Sequence, residues 1–413
     1  MQTKLADFIR DTADGAEADA ILRKCVHCGF CTATCPTFQL LGDELDSPRG
    51  RIYLIKQMLE GEAVSARTQL HLDRCLTCRS CETTCPSGVE YGRLVDIGRK
   101  WAENLAPPRS APQQVKRWLL ANTISQPAVF GAAYRVARAL RPLMPSTLAA
   151  KLAPSRPRGV WPSPRHARKW LVLGGCAQPA LTPDVNAAAA RVLDRIGISL
   201  IEVRRDGCCG ALRSHLNDHE GGREDASRLL QQWQPALERG EVEGVVITAS
   251  GCGSFVREYR HLFRDDAPML AQAGKVVAQT LDIAELIARE THALDECLVK
   301  RALGGRGAIA FHSPCTLQHG LQIRGVVEGL LQRAGYELTP VADAHLCCGS
   351  AGSYSLLQPE IATSLRDNKL AALAAGKPVG IASANVGCIA HLGSAADVPV
   401  RHWIEWLDEA LST

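Results

Sequence analysis

The chain has 413 residues, 46% of them hydrophobic and 22% charged, with a formal net charge of +4 at pH 7. That length exceeds one ordinary hydrophobic core and predicts roughly two to three domains, while the composition excludes a disordered or fibrous protein. No stretch approaches the roughly 18 to 20 uncharged apolar residues that cross a bilayer and the N-terminus shows no secretory pattern, so the expectation is a cytoplasmic protein whose 17 cysteines serve metal or redox chemistry rather than disulfides.

Two cysteine runs dominate residues 1–105. CVHCGFCTATCP begins at Cys25 and returns as CLTCRSCETTCP at Cys75, each cysteine displaced by 50 positions. A cubane cluster needs four thiolates at the corners of a tetrahedron. C-x2-C-x2-C supplies three of them from one tight loop, and the last cysteine of each run, followed by Pro36 or Pro86, serves the other cluster. This predicts one 4Fe-4S cluster on Cys25, Cys28, Cys31 and Cys85, and another on Cys75, Cys78, Cys81 and Cys35, side by side for one-electron relay. Gly29 permits close backbone approach, and His27 and Arg79 sit where they bias the local charge. Zinc is the alternative for paired C-x2-C motifs, but the remaining cysteines of each run would then need a second ion. Between the runs, 47–61 has apolar residues at helical spacing and predicts a connecting helix ending at Gly61.

Residues 106–168 read as a basic linker with helical stretches. From 99 to 170 there are fourteen Lys or Arg against one acid, Glu103. Apolar stretches at 118–130 and 136–153 precede the tail APSRPRGVWPSPRH. The basic segment reads as a docking surface for an acidic partner subunit, as a contact with an anionic membrane surface, or as a solvated face. It lacks the aromatics and reading motifs of a nucleic-acid binder.

A second duplication fills the rest, expected as domains 169–304 and 305–413. Cys176, Cys208, Cys209 and Cys252 are matched by Cys315, Cys347, Cys348 and Cys388, three at an offset of 139 and the last at 136. Short apolar runs at 170–173, 245–248, 308–311 and 379–382 each precede a cysteine, and amphipathic stretches at 183–196, 223–238, 325–334 and 360–375 separate them. The pattern predicts α/β units. Ligands bind at the carboxyl ends of such strands, so the cysteines of each copy are expected to converge. Adjacent cysteines suit one multi-iron centre better than a mutual disulfide; buried structural thiols are the alternative. His215, His312, His319, His345 and His391 crowd the same places, each as a candidate ligand or acceptor-binding group, while Cys297 lacks a repeat partner and reads as structural. No G-x-G-x-x-G, Walker A, H-E-x-x-H or Ser-His-Asp signature is found, so the chain relays electrons without a substrate-oxidising site of its own.

LRKCVHCGFCTATCPTFQLLGDELDSPRGRIYLIKQML, LDRCLTCRSCETTCPSGVEYGRLVDIGR, PCTLQHG, HLCCGSAGSYSLLQPE and RHWIEW together resemble the iron-sulfur subunits of bacterial glycolate oxidase, also called glycolate dehydrogenase. The resemblance implies an α+β multidomain chain: an α-helical ferredoxin-like domain with two clusters, then two α/β CCG domains like those of heterodisulfide reductase. It implies FAD on partner subunits that oxidise glycolate to glyoxylate, and onward transfer to quinone or another acceptor, with the chain in the cytoplasm or peripheral on the inner membrane. One departure stands out: the CCG pattern ends in C-x2-C, whereas Phe255 follows Cys252 and His391 follows Cys388 at that place. A fifth thiolate is missing from both copies, leaving a smaller iron-sulfur centre in the CCG domains as the expectation. The same role in a lactate or glycerol-3-phosphate dehydrogenase is the alternative, and a non-redox binding protein with structural clusters is the alternative from another class.

Overall fold

The computed structural model describes residues 1–145, 152, 157–203, 206–299 and 306–412. Lys151, Arg156, most of the 136–153 stretch beyond 145 and the expected 304/305 boundary lie outside them. The chain divides into two compact units, Met1–Arg117 with His345–Lys369, and Trp118–Ala344 with Leu370–Thr413.

The first unit is helical. The connecting helix expected at 47–61 spans Pro48–Leu59. It starts where the Ser47 hydroxyl accepts the Gly50 N–H and Pro48 occupies the first turn, which needs no backbone donor there. Its inner face packs on helices Ala13–Lys24 and Tyr91–Leu105, with Ile9, Leu22, Ile55, Leu59, Leu94 and Val95 all 0% exposed. Helices Pro48–Leu59 and Tyr91–Leu105 meet at Gly98, where a Cβ would stand 2.6 Å from Ile55. The carboxylate of Asp46 is fully buried and receives Arg51 at 3.2 Å, Arg74 at 2.9 Å and the His71 ring at 3.0 Å. Arg51 also donates to the Thr37 hydroxyl and the His71 carbonyl. Such a network ties the loops after the first cysteine run to the helix before the second, and a buried charge is tolerated only when paired this fully.

The second unit holds two parallel sheets. β1 (Arg168–Val172), β2 (Ile198–Glu202), β3 (Gly244–Ile247) and β4 (Thr280–Asp282) lie in the order β2-β1-β3-β4, and β5 (Ala308–His312), β6 (Glu337–Thr339), β7 (Ile381–Ser383) and β8 (Val400–His402) in the order β6-β5-β7-β8. The four apolar runs of the sequence are the central strands β1, β3, β5 and β7. Their neighbours are edge strands of three to five residues with weaker apolar patterns, which is why they escaped notice. The four expected helices form at Val185–Arg195, His219–Glu238, Val326–Arg333 and Pro359–Ala374. Alanines 187–190 bring Val185–Arg195 against the C-terminal helix Trp403–Ser412, and Arg191 and Arg195 pair with Asp408 at 2.8 and 2.7 Å.

Helices Ala111–Ile124 and Pro127–Ala139 occupy the basic segment. Six of the fourteen cations from 99 to 170 are paired with acids of the same chain. Arg109 and Arg117 meet Asp73, Lys100 meets Asp14, and Arg158, Arg165 and Arg168 meet Glu202, Asp194 and Glu243. Acids distant in sequence thus match a local excess of cations.

Candidate metal centres

The two cysteine runs adopt one backbone twice. His27 and Gly29 have positive φ (55° and 86°), and so do Thr77 and Arg79 (52° and 60°), displaced by the same 50 positions. These left-handed residues turn the loop tightly enough to aim main-chain donors at sulfur. The Thr77 N–H lies 3.4 Å from Cys75 Sγ, and the His27 N–H donates to Cys25 likewise.

A recess with about 430 Å³ of empty space, counting its open mouth, is lined by Cys25, Cys28, Cys31, Cys81 and Cys85, with Val26, Phe30, Pro48 and Val89 around them. Cys25 feels Cys85 and Cys28, while Cys81 feels Cys78, Cys75 and Cys35. Burial pushes the Cys31 thiol up to about 11 and the Cys81 thiol well above its ordinary range. Bare thiolates are therefore unfavourable here, and a cationic metal core that compensates four of them fits the donor set. The first set is the more open: Cys28 is exposed, and Val26 and Phe30 are 68% and 62% exposed. The second is closed in by hydroxyls: that of Tyr91 donates to Cys75 Sγ at 3.6 Å, and that of Thr37 lies 3.3 Å from Cys35 Sγ.

In the second unit Cys176 follows β1, Cys208 and Cys209 follow β2, and Cys252 opens the helix Ser250–Val256 after β3. The strand ends gather all four. The Cys176 and Cys209 thiols donate to Cys208, and Cys209 also contacts Cys252, so Cys208 is held well below its usual range and its two neighbours above theirs. Asp206 fastens the loops, accepting the N–H of Gly174 at 2.6 Å and of Gly207 at 2.9 Å; desolvation raises its carboxyl to about 7. The Gly210 N–H, 3.4 Å from Cys208 Sγ, repeats the donor seen in the N-terminal runs. Phe255, where a fifth thiol would be needed, packs its ring edge-on against Tyr259 and His215 and lies 3.3 Å from the Cβ position of Gly210. That site carries four thiols beside an aromatic wall.

The cysteines of the second copy belong to different units: Cys315 and Cys388 to the second, Cys347 and Cys348 to the first. The Gly349 N–H approaches Cys347 Sγ at 3.4 Å, the fourth use of that turn, and Asn385 donates to Cys388 Sγ at 3.5 Å. Within the first unit, the Tyr354 hydroxyl donates to the carbonyl of Arg74, directly before Cys75, at 3.0 Å. Among the histidines, the His312 ring meets the Ser383 hydroxyl at 2.9 Å and His319 is buried in the turn Thr316–Gly320. The Cys297 thiol donates to the Arg195 carbonyl at 3.3 Å, in keeping with a structural role. Sequence reasoning missed Tyr91, Arg99, Asp206 and Tyr354, which touch sulfur or hold its loops without occupying a motif position.

Comparison with known proteins adds three observations. Residues 21–89 match the 4Fe-4S dicluster domain, and residues 170–257 and 309–393 each match the Cysteine-rich domain. The chain is similar over its whole length, at 52% identity, to the glycolate oxidase iron-sulfur subunit of Escherichia coli, 99% of which is covered. It is 28% identical to the probable glycolate oxidase iron-sulfur subunit of Bacillus subtilis over 89% of the chain and 87% of that relative, and 23% identical to the lactate utilization protein A of an Exiguobacterium strain over 57% of the chain and 95% of that relative.

Proposed function

The chain belongs to the family of glycolate oxidase iron-sulfur subunits, and on that premise we propose that it is the non-catalytic relay of a glycolate dehydrogenase, taking electrons from a FAD-bearing partner and passing them toward quinone or another acceptor. Oxidising glycolate to glyoxylate releases two electrons and two protons, and 4Fe-4S clusters accept electrons singly. A pair of clusters in one unit suits that conversion.

The observation that carries this reading is the apposition of Cys85 to the recess of Cys25, Cys28 and Cys31, and of Cys35 to Cys75, Cys78 and Cys81. It supports crossed ligation, in which each run closes the other's cluster. Anaerobically purified chain is expected to lack glycolate oxidation by itself and to restore dye or quinone reduction when mixed with the flavin subunits. Turnover of glycolate by the chain alone, or quinone reduction undiminished in its absence, would contradict it.

The four thiols Cys176, Cys208, Cys209 and Cys252 support a further, smaller iron-sulfur centre. Iron in excess of eight atoms per chain that falls to eight in Cys209→Ala is the expected result. Glycolate rather than lactate as the partner's substrate is favoured by the full-length similarity, since the lactate utilization relative spans only 57% of the chain.

A further inference from the structure

The internal duplication supplies a comparison within one molecule. Displacing Arg49 by 50 positions gives Arg99, and displacing Leu41 gives Tyr91. Arg49 borders the first recess, close to Cys28 and Cys31. Glu44 takes up its charge at 2.5 and 3.2 Å, and both side chains are more than a third exposed. Leu41 offers no hydroxyl and is itself exposed.

The second copy is built differently. Arg99 is 8% exposed and donates to the Leu72 carbonyl at 3.1 and 2.9 Å, to the Cys75 carbonyl at 2.5 Å and to the Thr77 hydroxyl at 2.9 Å. Among the described residues no carboxylate pairs with it. A buried cation needs a compensating anion. Its hydrogen bonds to the Cys75 carbonyl and the Thr77 hydroxyl fix it on the loop that carries Cys75, so the thiolates headed by Cys75, with the iron-sulfur core they would hold, can supply that anion. Tyr91, 4% exposed, points its hydroxyl at Cys75 Sγ.

We propose that Arg99 and Tyr91 selectively raise the reduction potential of the cluster bound by Cys75, so that the two halves of a duplicated motif are electronically unequal. The proposal rests on the reading that both cysteine sets carry clusters. Reduction adds one electron, supplied by the flavin-bearing partner, and makes or breaks no bond. The reduced core bears one more negative charge, which a buried guanidinium and an O–H donor at sulfur favour.

The test is a potentiometric titration of the cluster-loaded chain, followed by EPR, on wild type, Tyr91→Phe, Arg99→Gln and Glu44→Gln, each with its iron and sulfide counted. Tyr91→Phe and Arg99→Gln are expected to lower the same one of two midpoint potentials and leave the other in place. Glu44→Gln, which frees the charge of Arg49, is expected to raise the other. Where Arg99→Gln fails to fold, the remaining two variants decide. Unmoved midpoints in Tyr91→Phe and Glu44→Gln, or equal movement of both midpoints, would overturn the proposal. A wild-type chain lacking two reducible centres would instead overturn the cluster reading beneath it.

Discussion

Among the described residues, a positive-φ residue two places after a cysteine aims its main-chain N–H back at that sulfur in all four cysteine loops of this kind, from His27, Thr77, Gly210 and Gly349. At Gly210 the conformation and the space both demand glycine, because a Cβ would stand 2.3 Å from the Gly222 carbonyl oxygen. Gly210→Ala is expected to destabilise the second unit by about 1–3 kcal/mol, from left-handed strain and overpacking, read as a lower denaturation midpoint. Asp46→Ala has a different cause: it strands buried Arg51 and removes the partner of half-buried Arg74, and a loss of about 3–5 kcal/mol is expected in the same measurement. An unchanged midpoint in Asp46→Ala would mean that solvent reaches the pocket. The sixteen repeat cysteines were legible because each duplication repeats its cysteine spacing at a fixed or nearly fixed offset in the sequence. Tyr91 and Arg99 were not, since a donor can reach sulfur from any element that passes nearby. Only the 50-residue displacement, applied beyond the cysteines, pairs them with Leu41 and Arg49.

Among the elements, the helices expected at 47–61, 183–196, 223–238, 325–334 and 360–375 and the central strands were legible, while helices such as Tyr91–Leu105 and Ala267–Ala278 and the edge strands were not. A central parallel strand such as β3, buried along its whole length, writes an apolar run into the sequence, while β6 is partly exposed and reads as loop. The crossing of Pro48–Leu59 with Tyr91–Leu105 depends on the absence of a side chain at Gly98. Gly98→Leu is expected to force the helices apart and cost about 1–3 kcal/mol, with loss of bound iron as the more sensitive readout. Helix Pro127–Ala139 and the turn Arg141–Leu143 expose Val129, Val136, Leu140 and Leu143 beside Arg135, Arg138 and Arg141. An apolar face bordered by cations suits an anionic lipid surface. If the basic segment makes the membrane contact that is one of its expected readings, the chain sediments with vesicles containing anionic lipid and not with neutral ones, and Val136→Glu with Leu143→Glu abolishes that binding. Equal sedimentation with neutral vesicles would remove the electrostatic argument.

For the whole molecule, the duplicated cysteine-rich repeat was legible as two copies, but its division was not. The Cys347–Cys348 segment groups with the helical unit rather than with the sheets that precede and follow it, because Tyr354 and its neighbours pack there through contacts far apart in sequence. Substrate choice is legible in no residue of this chain, since a relay need not touch the molecule being oxidised. On the proposed function, the duplicated runs hold two clusters that cycle. Stepwise reduction of the anaerobically purified full chain, with iron and sulfide quantified on the same sample and EPR recorded at each step, tests it most directly. Two one-electron uptakes on at least about eight irons, four for each cluster, with one signal lost in Cys28→Ala and Cys85→Ala and the other in Cys78→Ala and Cys35→Ala, is the predicted result. Zinc in place of iron, or clusters that take up no electrons, would contradict it.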